Sequence, residues 1–155
     1  MPLSSGMRWV KLVLVVSFLA AVAGRAETAR IVKALPHYLD QKGRYALKPS
    51  LYERDAYQAY LRGHRALVSA MRFDVQWKGS HSPDLTLRVE ARGNKDGETR
   101  QVTAEAPVKK GGPFERWTSV TLEGETYRGL GQLTAWRVSL WRGGKQVAEQ
   151  KSYLW

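Results

Sequence analysis

Apolar residues recur at every second position over much of the chain after residue 70, which is the period of a β-strand with one buried face. Polar or charged residues fill the positions between them. The clearest inward rows are Met71, Phe73, Val75 and Trp77; Leu85, Leu87, Val89 and Ala91; and Trp136, Val138 and Leu140. This alternation predicts antiparallel strands that turn one face toward a common core.

Four further strands have less regular patterns. They are predicted at residues 31–35, 99–106, 117–122 and 147–155. We expect the first to end at Pro36, because proline has no backbone N–H to donate. The segment 94–97 predicts a tight turn, and the glycines of residues 142–145 predict a hairpin.

One helix is predicted before the alternating region, from Ser50 to Arg62. Ser50 and Glu53 have the spacing of a capping box, in which each side chain satisfies a backbone amide at the helix start. Gly63 follows as a C-terminal stop. Residues 37–49 are predicted to be irregular.

Together these elements predict a mainly β fold: an antiparallel immunoglobulin-like β-sandwich with one short helix inserted after the first strand. A small barrel is the alternative that the same strands allow. The chain contains no cysteine, so it lacks the disulfide of antibody domains and the likeness concerns architecture only. Residues 27–155 are long enough to form a single domain with its own core.

Residues 1–26 have the pattern of a secretory signal peptide. Arg8 and Lys11 precede an apolar run from Leu12 to Gly24, and small residues allow cleavage after Ala23 or after Ala26. The run is about 20 Å long as a helix, shorter than the roughly 30 Å of a bilayer core, which disfavours a retained anchor. We therefore expect an exported protein, periplasmic or extracellular, with no stable membrane span after cleavage.

The charge of the chain is strongly positive. It carries 25 Lys and Arg against 14 Asp and Glu, a net charge of +11. Without the leader, 22 basic and 14 acidic residues leave +8. Such a charge favours association with polyanions. The basic residues are dispersed along the chain, however, which favours a solvated basic surface with no dedicated partner. We expect no specific nucleic-acid partner.

No constellation of residues specifies a reaction. The absence of cysteine excludes thiol catalysis and thiolate metal sites. The segment 79–82 lacks the second glycine of a nucleophile elbow, and Glu123 and Glu125 flank a predicted exposed turn at Gly124. His37, His64 and His81 lack the spacing of a local metal motif, so only tertiary structure would join His37 and His64 with a carboxylate such as Asp40. We expect neither catalysis, nor a cofactor, nor a metal.

Tyrosines concentrate around the predicted helix. Five of the seven lie between residues 38 and 60, interleaved with Lys and Arg. This arrangement suits a ligand-stacking surface with a basic rim, for which the candidate residues are Tyr52, Arg54, Tyr57 and Tyr60. The alternative is structural: tyrosines fasten an irregular segment and a helix onto a sheet while their hydroxyls stay hydrated.

Three segments, 50–58, 71–78 and 150–155, resemble small exported bacterial β-sandwich proteins. The resemblance spans most of the mature chain, and it brings no activity, ligand or catalytic residue to this sequence. We expect a non-enzymatic binding or accessory protein of the cell envelope, whose open sheet edges suit pairing with a partner strand. The alternative is a carbohydrate- or polyanion-binding module that uses the Tyr/Arg-rich surface.

Overall fold

In the part of the chain that the structure describes, seven strands form two antiparallel sheets. The structure is a computed structural model that describes residues 29–79, 84–108 and 116–155. The strands are β1 (Arg30–Asp40), β2 (Val68–Lys78), β3 (Leu85–Lys95), β4 (Glu98–Pro107), β5 (Arg116–Glu123), β6 (Gln132–Arg142) and β7 (Lys145–Lys151). The helices are α1 (Leu51–Gly63) and α2 (Gly124–Leu130), with a 3-10 turn at Arg65–Leu67. The predicted leader and the segments 80–83 and 109–115 lie outside the described residues.

The strand order places β2 at the centre of one sheet and β3 and β6 inside the other. One sheet has the order β1-β2-β5 and the other β4-β3-β6-β7. The prediction of a mainly β, antiparallel fold is confirmed. Within the described residues, no helix is long and apolar enough to cross a membrane.

One apolar core joins the two sheets. Phe73 and Val75 of β2, Leu87 of β3, and Val138 and Leu140 of β6 are each 0% exposed. These are positions that the alternation predicts to point inward. Complete burial of each such side chain stabilises the fold by about 1.5–3 kcal/mol, so the core is the main source of stability.

Strand β1 is longer than predicted and passes through Pro36 to Asp40. The prediction that Pro36 ends the strand is wrong because β1 is an edge strand. The N–H and C=O of Tyr38 both bond to helix α1, away from β2. Backbone direction alternates along a strand, so the missing N–H of Pro36 faces the same outer edge, where no strand needs it.

The ends of the helices also differ from expectation. Helix α1 begins at the predicted place, but the side chain of Ser50 makes no capping bond, so the capping box is absent. Glu53 instead lies 3.5 Å from the Lys48 ammonium. The predicted turn around Gly124 opens helix α2, because Tyr127 and Leu130 are drawn into the core.

The predicted tight turn and the predicted hairpin are both present, and each joins two antiparallel strands. Asp96 and Gly97, with φ of 54° and 85°, connect β3 to β4, while Gly143, with φ of 56°, lies between β6 and β7. Positive φ at both central residues is the property of a two-residue turn whose twist matches its strands. These turns fix the pairing of β3 with β4 and of β6 with β7.

Gly93 of β3 provides a test of the packing between β3 and α2. A Cβ atom at this position would lie 2.3 Å from the backbone oxygen of Leu130. We expect Gly93→Ala to lower the free energy of unfolding by about 1–3 kcal/mol, because the backbone must shift to admit the methyl group. Gly129→Ala is the matched control, since its Cβ would meet nothing within 4 Å. Denaturant unfolding compares the two variants, and equal stabilities would contradict this packing.

Candidate ligand-binding cleft

Gln58 of helix α1 bonds to the open edge of β1 at Tyr38. Gln58 is buried, and its Oε1 accepts the Tyr38 N–H at 2.7 Å while its Nε2 donates to the Tyr38 carbonyl at 2.9 Å. The same Nε2 donates to the Tyr45 carbonyl at 2.8 Å. The amide therefore replaces a neighbouring strand at Tyr38 and fixes the loop that carries Tyr45.

Asp40 fixes the start of that loop. Its carboxylate accepts the backbone N–H groups of Lys42 and Arg44, the Arg44 Nε–H at 2.8 Å and the Tyr57 hydroxyl at 2.7 Å. Burial alone would raise the pKa of Asp40, but these hydrogen bonds outweigh it and hold the pKa well below its ordinary value. The bond to Asp40, together with burial, raises the pKa of Tyr57.

A second carboxylate lies on the outer face of the three-stranded sheet. Asp74 accepts hydrogen bonds from His37 Nδ1 at 2.9 Å, Arg72 Nε at 3.1 Å and Ser119 Oγ at 2.6 Å. Burial would raise the pKa of Asp74, yet the bonds from His37, Ser119 and Arg72 together lower it to about 2. Asp74 thus stays ionised and orients residues on all three strands of the sheet.

The ring of Tyr45 packs against two partners of Asp74, His37 and Arg72. Its ring stacks on the His37 imidazole with 4.9 Å between centroids, and the Arg72 guanidinium lies 4.6 Å from the Tyr45 ring centroid. Arg72 is therefore held by a carboxylate at one edge and by an aromatic ring at one face, the two contacts that fix a guanidinium best.

These side chains line a cleft of about 280 Å³. Its lining residues are Leu35, His37, Tyr45, Arg54, Arg72, Asp74 and Trp117. Arg54 comes from α1, and its Nε and Nη2 donate to Asp55 at 2.8 and 2.7 Å. Trp117 of β5 is 50% exposed. The cleft thus combines two oriented guanidinium groups with two aromatic rings.

The cleft has the groups for binding an anion but not for activating a nucleophile. Asp74 lies between Ser119 and His37, and the Ser119 hydroxyl donates to the carboxylate. A serine nucleophile needs its hydroxyl on the histidine instead. His37 donates through Nδ1, so its Nε2, which has no partner among the described residues, is left for a ligand.

The four predicted ligand-binding residues occupy different places. Arg54 lines the cleft. Tyr57 bonds to Asp40 and stacks on Tyr60 at 6.2 Å, and Tyr60 stacks on the His64 imidazole at 4.1 Å. Tyr52 is 82% exposed and lines none of the cavities described here. Tyr57 thus fastens the helix to the sheet, which is the structural role weighed above for the tyrosines. Tyr52 and Tyr60 instead keep exposed rings.

His37 and His64 form hydrogen bonds with different partners. His37 bonds to Asp74, and the His64 Nδ1 donates to the Tyr60 carbonyl at 2.8 Å. Asp40 bonds to neither of them. In the part of the chain that the structure describes, no group of three His, Asp or Glu side chains is arranged to hold a metal ion. His81 lies outside that part.

Sequence reasoning missed Arg72, Asp74, Ser119 and Trp117 as site residues. Arg72 and Asp74 occupy the outward positions of a strand whose alternation was evident, so the pattern signalled their exposure to one face. It gave no sign that the loop after β1 would fold back over them. Ser119 and Trp117 reach the same face only because β5 pairs with β2.

The lowered pKa of Asp74 predicts that its charge stabilises the fold. Its folded pKa of about 2 lies below the ordinary 3.8, so the contribution is complete above about pH 5 and is lost as the pH falls from about 4 to 2. We expect Asp74→Asn to lower the free energy of unfolding at pH 7 by roughly 2 kcal/mol, with a smaller deficit at pH 2.

Asp96→Asn is the matched control, because Asp96 lies in an exposed turn and tolerates the amide in its positive-φ conformation. Denaturant unfolding at a series of pH values measures both variants. An Asp74→Asn deficit that does not change with pH would show that the carboxylate charge is not what stabilises the cluster.

Comparison of the chain with protein-family models, with curated proteins and with solved structures gives no match. The candidate site is therefore defined by its own geometry. Its three components are the carboxylate-held Arg72 and Arg54, the free Nε2 of His37, and the rings of Tyr45 and Trp117.

Proposed function

We propose that this protein is an exported, non-catalytic binding protein of the cell envelope that holds an acidic glycan in the cleft beside helix α1. Export is supported by the signal-peptide pattern of residues 1–26. The ligand class is supported by the net positive charge and by the contents of the cleft. The Tyr/Arg-rich surface predicted from the sequence contributes Arg54, and the sheet contributes the other cation.

The observation that carries the proposal is the orientation of Arg54 and Arg72. Each guanidinium is fixed through Nε and Nη2 by a neighbouring carboxylate. The remaining N–H groups at the cleft suit a carboxylate of the ligand, and hydrogen bonds between charged groups are stronger than neutral ones. A side chain that is already ordered loses little conformational entropy when the ligand binds.

The aromatic rings support a sugar rather than a small inorganic anion. Tyr45 and Trp117 line the same cleft as the two arginines, and flat apolar faces are suited to the apolar faces of sugar rings. A volume of about 280 Å³ lies near the lower end of small-molecule sites. Partner binding by strand addition has less support at β1, because Gln58 occupies the edge at Tyr38 and Pro36 lacks an N–H.

The immunoglobulin-like assignment belongs to the same proposal. Constant-type immunoglobulin domains place their fourth strand beside the fifth in the first sheet. Here β4 pairs with β3 in the second sheet, because the two-residue turn at Asp96 and Gly97 makes them a hairpin. The sheet orders support an immunoglobulin-like sandwich in which the fourth strand has changed sheets.

Binding of galacturonate oligomers to the purified protein, measured by calorimetry, tests the function. We expect binding to the acidic oligomers and none to neutral glucose oligomers of equal length. Arg54→Ala removes one charge-assisted contact worth about 1.5–3 kcal/mol, so its affinity falls about tenfold or more. Arg128→Ala is the matched control, because Arg128 lies on the exposed face of α2, outside the cleft, and pairs with Glu125. Equal binding of neutral oligomers would contradict an acidic ligand.

The salt dependence of the affinity separates the charged contact of Arg54 from the stacking contact of Trp117. Affinity falls with ionic strength, because the ligand's counterions are released on binding. We expect Arg54→Ala to reduce the slope of log affinity against log salt by about 1. Trp117→Ala should weaken binding with the slope unchanged, since it removes stacking and no charge. Binding that is insensitive to salt up to 1 M would refute electrostatic recognition.

A further inference from the structure

A second cavity continues the cleft around the edge of β1. It measures about 540 Å³ and shares Leu35, His37 and Arg54 with the cleft. Building on the proposed function, we propose that the ligand is a polymer that lies along the groove between β1 and α1, so that the protein binds internal segments of an acidic glycan rather than a single sugar.

The lining of the second cavity shows where the groove leads. Leu35 and His37 pair with Asp74 and Arg72 and lie on the outer face of the sheet, whereas Pro36 and Tyr38 pair with Phe73 and Met71 on the inner face. The second cavity is lined by residues of both kinds, and also by Leu133 of β6 in the other sheet. The groove therefore crosses the edge of β1 from the outer face toward the four-stranded sheet.

Helix α1 supplies the opposite wall. Arg54, Gln58 and Arg62 recur every four residues, so they follow one side of the helix, and all three line the second cavity. Eight residues of helix separate the two arginines, which is about 12 Å along the axis. A single sugar ring cannot span that distance, whereas an acidic polymer contacts both cations at once.

The charges along this wall favour an anion at each end. Asp55 also lines the cavity, but both of its contacts are with the Arg54 guanidinium. Arg62 is exposed and has no ion-pair partner among the described residues. Gln58 lies between them with its amide used in the bonds to Tyr38 and Tyr45. The middle of the groove is thus neutral and rigid, with one cation on either side.

Galacturonate oligomers of one to eight units provide the test, with affinity measured by calorimetry. We expect the affinity of the intact protein to rise about tenfold or more above that for the dimer as the oligomer lengthens. It should level off once the oligomer spans both arginines. Arg62→Ala should lower the affinity for the octamer about tenfold and leave that for the dimer unchanged. Arg54→Ala should lower both, because Arg54 lies where the two cavities meet.

The Arg62→Ala variant also separates two causes of a higher affinity for long oligomers: additional contacts and a larger number of binding registers. A longer oligomer offers more binding registers, which raises its apparent affinity even without new contacts, and that gain survives in the variant. A gain from contacts at Arg62 is lost. Arg128→Ala controls for the removal of one positive charge elsewhere, and thermal unfolding verifies that both variants remain folded.

The outcomes distinguish the two proposals. Failure of every acidic oligomer to bind overturns the proposed function and this inference with it. Binding of the dimer as tightly as the octamer, or an equal loss for both lengths in Arg62→Ala, overturns the polymer groove and leaves the acidic-glycan site in place. Tighter, Arg62-dependent binding to anionic lipid vesicles than to the octamer would assign the groove to a membrane surface instead.

Discussion

The unpaired edge of strand β1 is the constraint on which the rest of the structure depends. A sheet edge presents backbone N–H and C=O groups that need partners or water, and an open edge invites pairing with other chains. Here the amide of Gln58 bonds both backbone groups of Tyr38 and also holds the Tyr45 carbonyl. This amide positions helix α1 and the loop before it against the sheet, together with the bonds of Asp40 and the burial of Leu61 in the core. The helix thereby supplies the second wall of the cleft.

Two carboxylates, of the buried Asp40 and the half-buried Asp74, then turn this attachment into a defined site. Asp40 ties the loop to Tyr57 of the helix, and Asp74 ties His37 and Arg72 to Ser119 across three strands. Buried charges cost free energy unless they are hydrogen-bonded. Each carboxylate accepts enough bonds to keep its pKa below the ordinary value. The result is a rigid polar layer on the outer face of the sheet, in contrast to the apolar core behind it.

Three arginines of the four-stranded sheet are held in a similar way. Arg137 forms two hydrogen bonds with Glu90, and Arg92 lies 3.9 Å from the centroid of the Trp155 ring. Arg88 is placed between Glu105 and Trp141. The cleft differs because its arginines line a cavity together with exposed aromatic rings, so their free N–H groups are available to a ligand. Net charge alone would not have distinguished the two faces.

The sequence by itself determined the strands, their inward residues and the hairpin turns, because period-two burial and positive-φ glycines act locally. Phe73 and Leu87 lie where the alternation predicts them. Only the tertiary structure decided that Pro36 stays within a strand, that Ser50 needs no capping bond, and that Arg72 and Asp74 meet Tyr45 and Arg54 in one cleft. These outcomes depend on which strand lies at an edge and on contacts between residues distant in the chain, and no local spacing records either.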